Sequence, residues 1–342
     1  MKKVKLYIYS FFCLAIFVLS LNKPFMEWWS DYRIYPLKAF SARSRYGDLY
    51  SACFLPNFMD TSLTKLKTYN TSLKNTNLYI LHDSYLLGRI KTENFKNLNK
   101  LFLVDYRGDE VYVQPDTTKR NIIIIECSER TAGWRLTDTA VIFSKLRTRK
   151  PIALNKNLVI IENTQVANYF FNPFINQNLE FNLFDYELFK PIKEYKAIIN
   201  YYFFNRIPKD IVVSINKNYL LLNETVDVNQ ATSSFRYISD EEINYDVYCV
   251  NYISQCYKNM GFDEIYFSII PNPVSIIDAG RMPYNHKIER IETNYFLRTN
   301  YIDVYTIFTQ SKKQIYRRDD SHWNNYGLQL WLDEVNNKIL QP

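Results

Sequence analysis

The apolar residues of this chain fall into short uninterrupted runs separated by longer amphipathic segments, which is the pattern of an α/β protein. Four consecutive isoleucines, Ile122 to Ile125, show no alternation, so this run predicts a strand buried on both faces, as in the centre of a parallel sheet. The predicted strands lie at 77–81, 101–109, 120–130, 262–273 and, more briefly, 301–308. Strands that alternate with helices predict a layered, mostly parallel sheet.

The amphipathic segments predict helices at 86–100, 241–260 and 328–340. The middle helix has a clear start, because Ser239 and Glu242 form an S-x-x-E capping box. It also has a clear end, because Gly261 suits the residue that terminates a helix. The segment 211–222 predicts a β-hairpin.

The N-terminus has the layout of an export signal. Lys2, Lys3 and Lys5 precede an uncharged run from Leu6 to Leu21, and no pair of small residues marks a cleavage site after it. We therefore expect an uncleaved signal anchor with cytoplasmic lysines, so that the body is held at the inner membrane and faces the periplasm or cell exterior. The alternative is a cleaved signal peptide that leaves a secreted protein. Both interpretations predict export.

The pattern divides the chain into five parts. Residues 1–24 are the signal anchor or signal peptide, and 25–76 are an aromatic lead-in that we expect to pack on the body. The body is an α/β domain in two parts, 77–146 and 201–342, around an irregular insertion at 147–200. Ligand sites of such sheets lie beyond the carboxyl ends of the strands, so the polar segments that follow strands should meet at one edge.

Composition excludes several functional classes. Only 7 glycines are present, and neither a G-x-G-x-x-G motif nor a P-loop occurs, so no nucleotide cofactor is expected. The 5 cysteines contain no C-x-x-C pair, and no histidine has a second ligand at metal spacing apart from two aspartates near His322, so no metal is expected either. The net charge of +7 mildly favours acidic partners, but no basic cluster is dense enough for nucleic acid.

One of the 3 histidines, His322, stands in the segment DDSHWNNYG beside two carboxylates. A serine hydroxyl becomes a nucleophile when a base removes its proton, and a carboxylate usually orients that base. Ser84, in the predicted strand-to-helix turn HDSY, can project outward where a helix N-terminus favours negative charge. We therefore predict Ser84 as nucleophile and His322 as base. Asp320 suits an extended loop and Asp319 a helical turn, so both stay open as the orienting carboxylate.

Simpler roles exist for the same two residues. Ser84 could be an ordinary helix N-cap, because an Asp-Ser pair before a helix is a common cap. His322 could be a surface histidine beside a structural tryptophan. We favour the catalytic roles because the two aspartates adjoin His322 in the sequence.

Both segments resemble a known superfamily. LYILHDSYL resembles the G-D-S block that carries the nucleophile of SGNH (GDSL-type) hydrolases, and DDSHWNNYG resembles the T-D-T-H-W block of AlgJ/AlgX-type polysaccharide O-acetyltransferases and DHHW proteins. The resemblance loosely covers 77–130 and 196–335, with the serine block first, as in ordinary SGNH hydrolases. It implies a three-layer α/β/α, flavodoxin-like SGNH domain with a mostly parallel sheet.

Carried over by position, the resemblance implies a triad of Ser84, His322 and Asp320. Asp319 would replace Asp320 if the D-x-x-H spacing of ordinary SGNH hydrolases holds. The amides of Ser84 and Gly108 would form the oxyanion hole.

The sequence departs from the superfamily at two positions. His82 stands where the superfamily has glycine, and CSER stands where it has an asparagine after the third strand. Arg130, in CSER, would replace that donor, contact an acidic sugar or form a salt bridge. Trp323 would pack in the core or stack on a sugar, and Asn324 beside it is a further candidate for substrate binding.

These features predict an exported SGNH-like serine O-acyltransferase or esterase that acts on O-acetyl groups of a surface polysaccharide or exopolysaccharide. A membrane-bound acyl carrier or acyltransferase would be its partner. The same triad serves transfer and hydrolysis, so both stay open. The alternative is a non-catalytic carbohydrate-binding or polysaccharide-assembly protein, which would use the aromatic residues that make up 17% of the chain.

Overall fold

A computed structural model describes residues 2–30, 47–60, 64–69, 75–137, 145–147, 175–184 and 186–340. The chain divides into two compact units, the first made of residues 1–59 and 153–207, and the second of residues 60–152 and 208–342. Much of the predicted insertion, residues 148–174, lies outside the described residues.

The secondary structure alternates between strands and helices in the second unit and is mainly helical in the first. The described strands are β1 (Thr76–His82), β2 (Leu98–Asp105), β3 (Val111–Tyr112), β4 (Arg120–Ser128), β5 (Leu146–Arg147), β6 (Ile211–Val213), β7 (Leu220–Leu222), β8 (Glu264–Ile270) and β9 (Asn300–Tyr301). The described helices are α1 (Lys2–Leu21), α2 (Lys23–Ser30), α3 (Asp48–Cys53), α4 (Glu129–Arg135), α5 (Ile175–Phe184), α6 (Lys190–Phe204), α7 (Asp240–Asn259), α8 (Pro273–Ile277), α9 (Lys287–Glu292), α10 (Val304–Thr309) and α11 (Asn325–Lys338).

The first unit begins with the apolar helix α1. Its segment Val4–Leu21 has a mean hydropathy of 2.1 and is long and apolar enough to cross a membrane, which is also true of a signal sequence. The apolar N-terminal helix that a signal anchor or a signal peptide requires is therefore present.

The second unit is built on a five-stranded sheet with the strand order β2-β1-β4-β8-β9. Every neighbouring pair in it is parallel. The predicted α/β class and mostly parallel sheet are therefore confirmed. The predicted hairpin at 211–222 is also present, as the antiparallel pair β6 and β7.

Both faces of this sheet are covered by apolar side chains, as the isoleucine run predicts. Ile123 and Ile125 point to one face, where they join a cluster that includes Val247 and Ile253 of α7. The alternating residues Ile122 and Ile124 join a second cluster on the opposite face, which includes Trp331 and Leu332 of α11. Each of the four isoleucines from 122 to 125 is almost fully buried. The core therefore consists of two layers with the sheet between them.

The predicted helix 241–260 is confirmed with its ends. The Ser239 hydroxyl accepts a hydrogen bond from the backbone N–H of Glu242 at 3.2 Å, as an N-cap does. The Glu242 carboxylate does not complete the capping box, because it pairs with Arg236. Gly261 ends the helix with a φ of +95°, a conformation that glycine adopts without strain. The closing helix predicted at 328–340 is α11, which begins three residues earlier, at Asn325.

Two predicted elements are wrong. Residues 86–100 do not form a helix: Gly88 and Asn97 have positive φ, and from Leu98 the chain pairs with β1 as strand β2. Residues 301–308 do not form a strand beyond Tyr301. Asp303 caps the following helix α10 by accepting a hydrogen bond from the N–H of Thr306, and this cap outweighs the strand preference of the β-branched and aromatic residues after it.

Candidate active site

The predicted nucleophile lies where the central strand β1 ends. β1 runs to His82, and Ser84 occupies a tight turn two residues later. No helix starts there, so Ser84 is not an N-cap, and the predicted support from a helix N-terminus at Ser84 is wrong. The backbone turn alone presents the hydroxyl. His322 comes from the loop between α10 and α11.

Ser84, His322 and Asp320, the three predicted triad residues, meet beyond the end of β1. Nε2 of His322 lies 2.7 Å from Oγ of Ser84. On the other side of the ring, Nδ1 lies 2.6 Å from Oδ1 of Asp320, and the backbone N–H of His322 donates to the same oxygen at 3.0 Å. This is the geometry in which a carboxylate orients an imidazole and the imidazole accepts a serine proton.

Asp319, the alternative carboxylate, has a different role. It is fully buried, and the guanidinium of Arg317 binds both of its oxygens, at 2.9 and 3.1 Å. The backbone N–H of Asp60 also donates to it, at 3.2 Å. Asp319 thus anchors the loop, and the orienting carboxylate is Asp320, as the extended-loop alternative predicts.

The charge on Asp320 is stabilised within the site. Burial of its carboxyl disfavours ionisation, but the hydrogen bonds from His322 and the nearby charge of Arg317 outweigh burial and lower its pKa to about 2. Asp320 is therefore ionised at neutral pH. An anion at this position holds the Nδ1–H tautomer of His322, in which Nε2 carries no proton and accepts one from the Ser84 hydroxyl.

Tyr85 joins the serine turn to the histidine loop. Its hydroxyl donates to the carbonyl of Ser321 at 2.8 Å, and its own carbonyl accepts a hydrogen bond from the indole N–H of Trp323 at 3.1 Å. Its ring lies 4.7 Å from the imidazole of His322, centroid to centroid. The buried Tyr85 and Trp323 therefore hold the serine turn and the histidine loop together, which fixes the distance between the Ser84 hydroxyl and the His322 imidazole.

Asp83, next to Ser84, ties β1 to β4. Its carboxylate accepts hydrogen bonds from the N–H of Tyr85 at 2.9 Å and from the N–H of Ser128 at 3.1 Å. Its own N–H donates to the carboxyl of Glu126 at 3.0 Å. Burial, with the nearby charge of Asp83 adding to it, raises the pKa of Glu126 well above its ordinary value and so favours its protonated form.

Two candidates for substrate binding have other roles: the packing alternative holds for Trp323, and the prediction for Asn324 is corrected. Trp323 is fully buried in the apolar cluster of the second sheet face, so it packs and cannot stack on a sugar. The side chain of Asn324 caps α11, since it accepts a hydrogen bond from the N–H of Gly327 at 3.0 Å. It also donates to the carbonyl of Gln314 at 2.8 Å. Both residues therefore stabilise the loop that carries His322.

Gly108 does not occupy the predicted position of an oxyanion donor. Its N–H donates to the carbonyl of Asp105 at 2.9 Å and so closes a turn after β2. Within the described residues, the N–H of Ser84 has no hydrogen-bond partner, so this amide is the remaining candidate from the predicted pair.

Arg130 forms a salt bridge, one of its three predicted roles. Its guanidinium lies 3.3 Å from the carboxylate of Glu224, which is partly exposed. The other histidines do not join the site. His82 is buried, with Nδ1 at 2.7 Å from the carbonyl of Asp83, and the exposed His286 pairs with Glu289 on the surface.

A narrow cleft begins beside the triad. Its empty space is about 220 Å³ including the open mouth. It is lined by Tyr85, Arg130, Leu221, Leu222, Thr225, Asn272, Pro273 and Ser321. Tyr85 and Ser321 are the chain neighbours of Ser84 and His322, which do not themselves line the cleft. A wider cleft of about 570 Å³ shares Arg130 with it and contains the half-exposed Trp134.

Sequence reasoning missed four residues that build this site: Asp83, Tyr85, Glu126 and Arg317. Signals for two of them exist, because Asp83 stands directly before the nucleophile and Arg317 lies just before the acidic pair. Tyr85 and Glu126 act through contacts between distant segments, which spacing alone does not reveal.

Comparison with known proteins adds nothing to this geometry, because no family, curated protein or solved structure matches the chain.

Proposed function

We propose that this chain is a serine-dependent O-acyltransferase that acts on acetyl groups of a surface polysaccharide, and that it hydrolyses the ester when water takes the place of the acceptor. The observation that carries the proposal is the 2.7 Å distance between Ser84 Oγ and His322 Nε2, with Asp320 on the far side of the ring.

In the proposed mechanism, His322 accepts the proton of Ser84 as Oγ attacks the carbonyl carbon of an acetyl ester. The carbonyl oxygen gains the negative charge, and the N–H of Ser84 is the proposed donor to it. The tetrahedral adduct then collapses, the alcohol leaves with the proton from His322, and an acetyl-serine forms. A sugar hydroxyl, or water, then attacks the acetyl carbon while His322 takes its proton. His322 passes that proton to Ser84 Oγ as the bond from Oγ to the acetyl carbon breaks, which releases the acetylated sugar, or acetate, and regenerates Ser84.

Three features support the finer fold proposal, a three-layer α/β/α SGNH-like domain. Counted along the sheet's own strands, the order β2-β1-β4-β8-β9 reads 2-1-3-4-5, the order of flavodoxin-like sheets. Apolar clusters with helices cover both faces. Ser84 follows the first strand of the sheet and His322 follows the last, so both lie at its carboxyl edge.

The two clefts support an acetylated glycan as substrate. The cleft lined by Tyr85 and Ser321, the chain neighbours of Ser84 and His322, is narrow, which favours an acetyl group over a longer acyl chain. The wider cleft beyond Arg130 offers the exposed indole of Trp134 and polar groups such as Thr232 and Asn285, a combination that suits a sugar ring. The apolar helix α1 supports the proposal that the protein is exported and held at a membrane.

One observation favours the second candidate, a non-catalytic carbohydrate-binding protein. The N–H of Gly108 is engaged in its own turn, so only one of the two predicted oxyanion donors remains. Removal of one such donor costs about 3 kcal/mol of transition-state stabilisation in a serine hydrolase. A site that keeps the triad but lacks the second donor is expected to have weak activity at most, which leaves glycan binding as the main role of the second candidate.

The test uses the full chain in detergent with p-nitrophenyl acetate and a fluorophosphonate probe. We expect turnover and labelling of wild type, and we expect Ser84→Ala to lose the label and about 10³-fold or more of kcat. Ser311→Ala is the control and should behave as wild type, because this half-buried serine lies earlier in the same loop and its hydroxyl contacts the backbone of Lys313. Turnover that survives in Ser84→Ala would disprove the triad, and absence of both turnover and label in wild type would favour the binding protein.

A further inference from the structure

The end of the apolar helix α1 is joined to helix α5 by polar contacts. Asn178 donates to the carbonyl of Ser20 at 2.8 Å, and Asn182 donates to the Ser20 hydroxyl at the same distance. Ser20 is fully buried and lies in the last turn of α1. If α1 spans a membrane, this contact places α5 at the level where the chain leaves the lipid.

Helix α6 is attached to α5 and to α3. Lys193 pairs with Glu180 of α5 at 3.3 Å, and the hydroxyl of Tyr50 in α3 donates to Glu194 at 2.6 Å. Ala197 packs against the apolar cluster that contains Tyr50. The positions 193, 194 and 197 share one side of α6, which is therefore its inner face.

The opposite side of α6 carries an apolar stripe, made of Ile192, Tyr195, Ile199, Tyr202 and Phe203, in which all members except the half-buried Ile199 are exposed. The spacing of three or four residues aligns them along one face of the helix. Tyr195 is 68% exposed and Phe203 is 78% exposed. Such a largely exposed stripe on a helix marks a contact surface.

Two further features adjoin the stripe. A cleft of about 930 Å³, including its open mouth, lies between α5 and α6. Leu179, Phe184, Phe189 and Ile192 line it together with Asn176, Glu180, Lys193 and Lys196, so Ile192 belongs to both cleft and stripe. The exposed cations Lys196 and Arg206 flank the stripe. Apolar side chains bordered by cations are typical of helices that lie in the surface of a membrane.

The segment that follows α1 has the same character. In α2, the rings of Phe25, Trp28 and Trp29 contact one another at 5.8–6.0 Å, and Trp28 is largely exposed. Tryptophan and tyrosine are enriched where membrane proteins cross the headgroup region.

We propose that the apolar stripe of α6 is a membrane-docking surface that lies in the outer leaflet beside the end of α1, with lipid acyl chains entering the cleft between α5 and α6. The occupant is the phospholipid bilayer because α1, the aromatic α2 and the stripe of α6 are linked through Ser20 and Glu180 within one compact unit. The proposal concerns attachment to the membrane and is independent of the proposed catalysis.

The experiment places a fluorescent thiol label on the stripe of the full chain in vesicles of phosphatidylcholine and phosphatidylglycerol. The accessible Cys13 and Cys256 are first replaced by serine, which leaves three buried cysteines. Tyr195→Cys and Phe203→Cys are then labelled with an environment-sensitive dye. We expect lipid that carries a shallow spin label to quench about half or more of the fluorescence at both positions, because interfacial helices sink about 5–10 Å into the headgroup boundary.

The matched control is Ala52→Cys, an exposed position of α3, the helix that packs on the inner face of α6. It should be quenched several-fold less, and thermal melting checks that all three variants fold. Water-like emission without quenching at 195 and 203 would overturn the proposal, as would equal quenching at 52. A blue-shifted emission without lipid quenching, together with disulfide cross-linking between Tyr195→Cys chains, would assign the stripe to a second copy and overturn it as well.

Discussion

Oδ1 of Asp320 faces His322 twice, at 2.6 Å from the ring Nδ1 and at 3.0 Å from the backbone N–H. The second contact is a consequence of the two-residue spacing, which folds the chain back on the carboxylate in an Asx-type turn. The backbone thereby presets the direction of the carboxylate before any substrate binds.

The two adjacent aspartates should therefore respond differently to the same change. We expect Asp320→Asn to lower kcat for p-nitrophenyl acetate by about 10³–10⁴-fold with little effect on folding, because the wrong tautomer of His322 is then favoured. Asp319→Asn should mainly lower the free energy of unfolding, by about 1–3 kcal/mol, because it weakens the hold on Arg317. Turnover and thermal melting of both variants are the measurements. A reversed pattern would assign the orienting role to Asp319.

Much of the sheet and the triad could be predicted from local sequence. The uninterrupted isoleucine run of β4 is stable only where both faces of the strand are covered by apolar side chains. Ser239 and Gly261 mark the ends of α7 by their own conformational preferences. The Asp-x-His spacing also sets a local contact. In each case the determining interaction lies within a few residues of the chain.

What the sequence missed depends on distant contacts. Leu98 enters a strand rather than a helix because β1 offers it a partner, and local helix preference carries no information about that. The burial of Trp323 depends on α11 and on the rings of Tyr85 and Phe308. Local sequence left packing and sugar stacking open for Trp323, and these distant contacts decide for packing.

Gly327 should tolerate no side chain. A Cβ atom there would lie 2.6 Å from Cγ2 and 2.7 Å from the carbonyl oxygen of Ile315, and the carbonyl cannot move without disturbing the loop. We expect Gly327→Ala to lower the free energy of unfolding by about 1–3 kcal/mol, as overpacking does, and to reduce turnover because the same loop holds His322. Gly280→Ala is the control, since no atom lies within 4 Å of its Cβ position. Equal melting temperatures of both variants would contradict the prediction.

Glu292 should make the protein less stable at alkaline pH. Burial, assisted by the nearby charge of Asp303, raises the pKa of Glu292 from 4.5 to about 9. Between these values the folded state holds a proton that the unfolded state has lost, so stability falls as pH rises, by up to about 1.4 kcal/mol per pH unit. Glu292→Gln should flatten the decline in melting temperature between pH 5 and pH 9, relative to wild type. The exposed Glu93→Gln is the control, and an unchanged profile in Glu292→Gln would refute the assignment.

Trp134 should affect binding of a polymer without affecting the chemistry. Its indole is half-exposed in the wider cleft, which meets the narrow cleft at Arg130. A glycan whose acetyl group reacts with Ser84 would therefore extend across the indole. Loss of one aromatic stacking contact costs about 0.5–1.5 kcal/mol, which corresponds to a rise in KM of roughly 2- to 12-fold. We therefore expect Trp134→Ala to raise KM for an acetylated oligosaccharide while kcat for p-nitrophenyl acetate stays unchanged. Tyr295→Ala, an exposed aromatic outside both clefts, should change neither value. If Trp134→Ala instead lowers kcat for the small ester with KM for the oligosaccharide unchanged, the indole supports the triad and the glycan lies elsewhere.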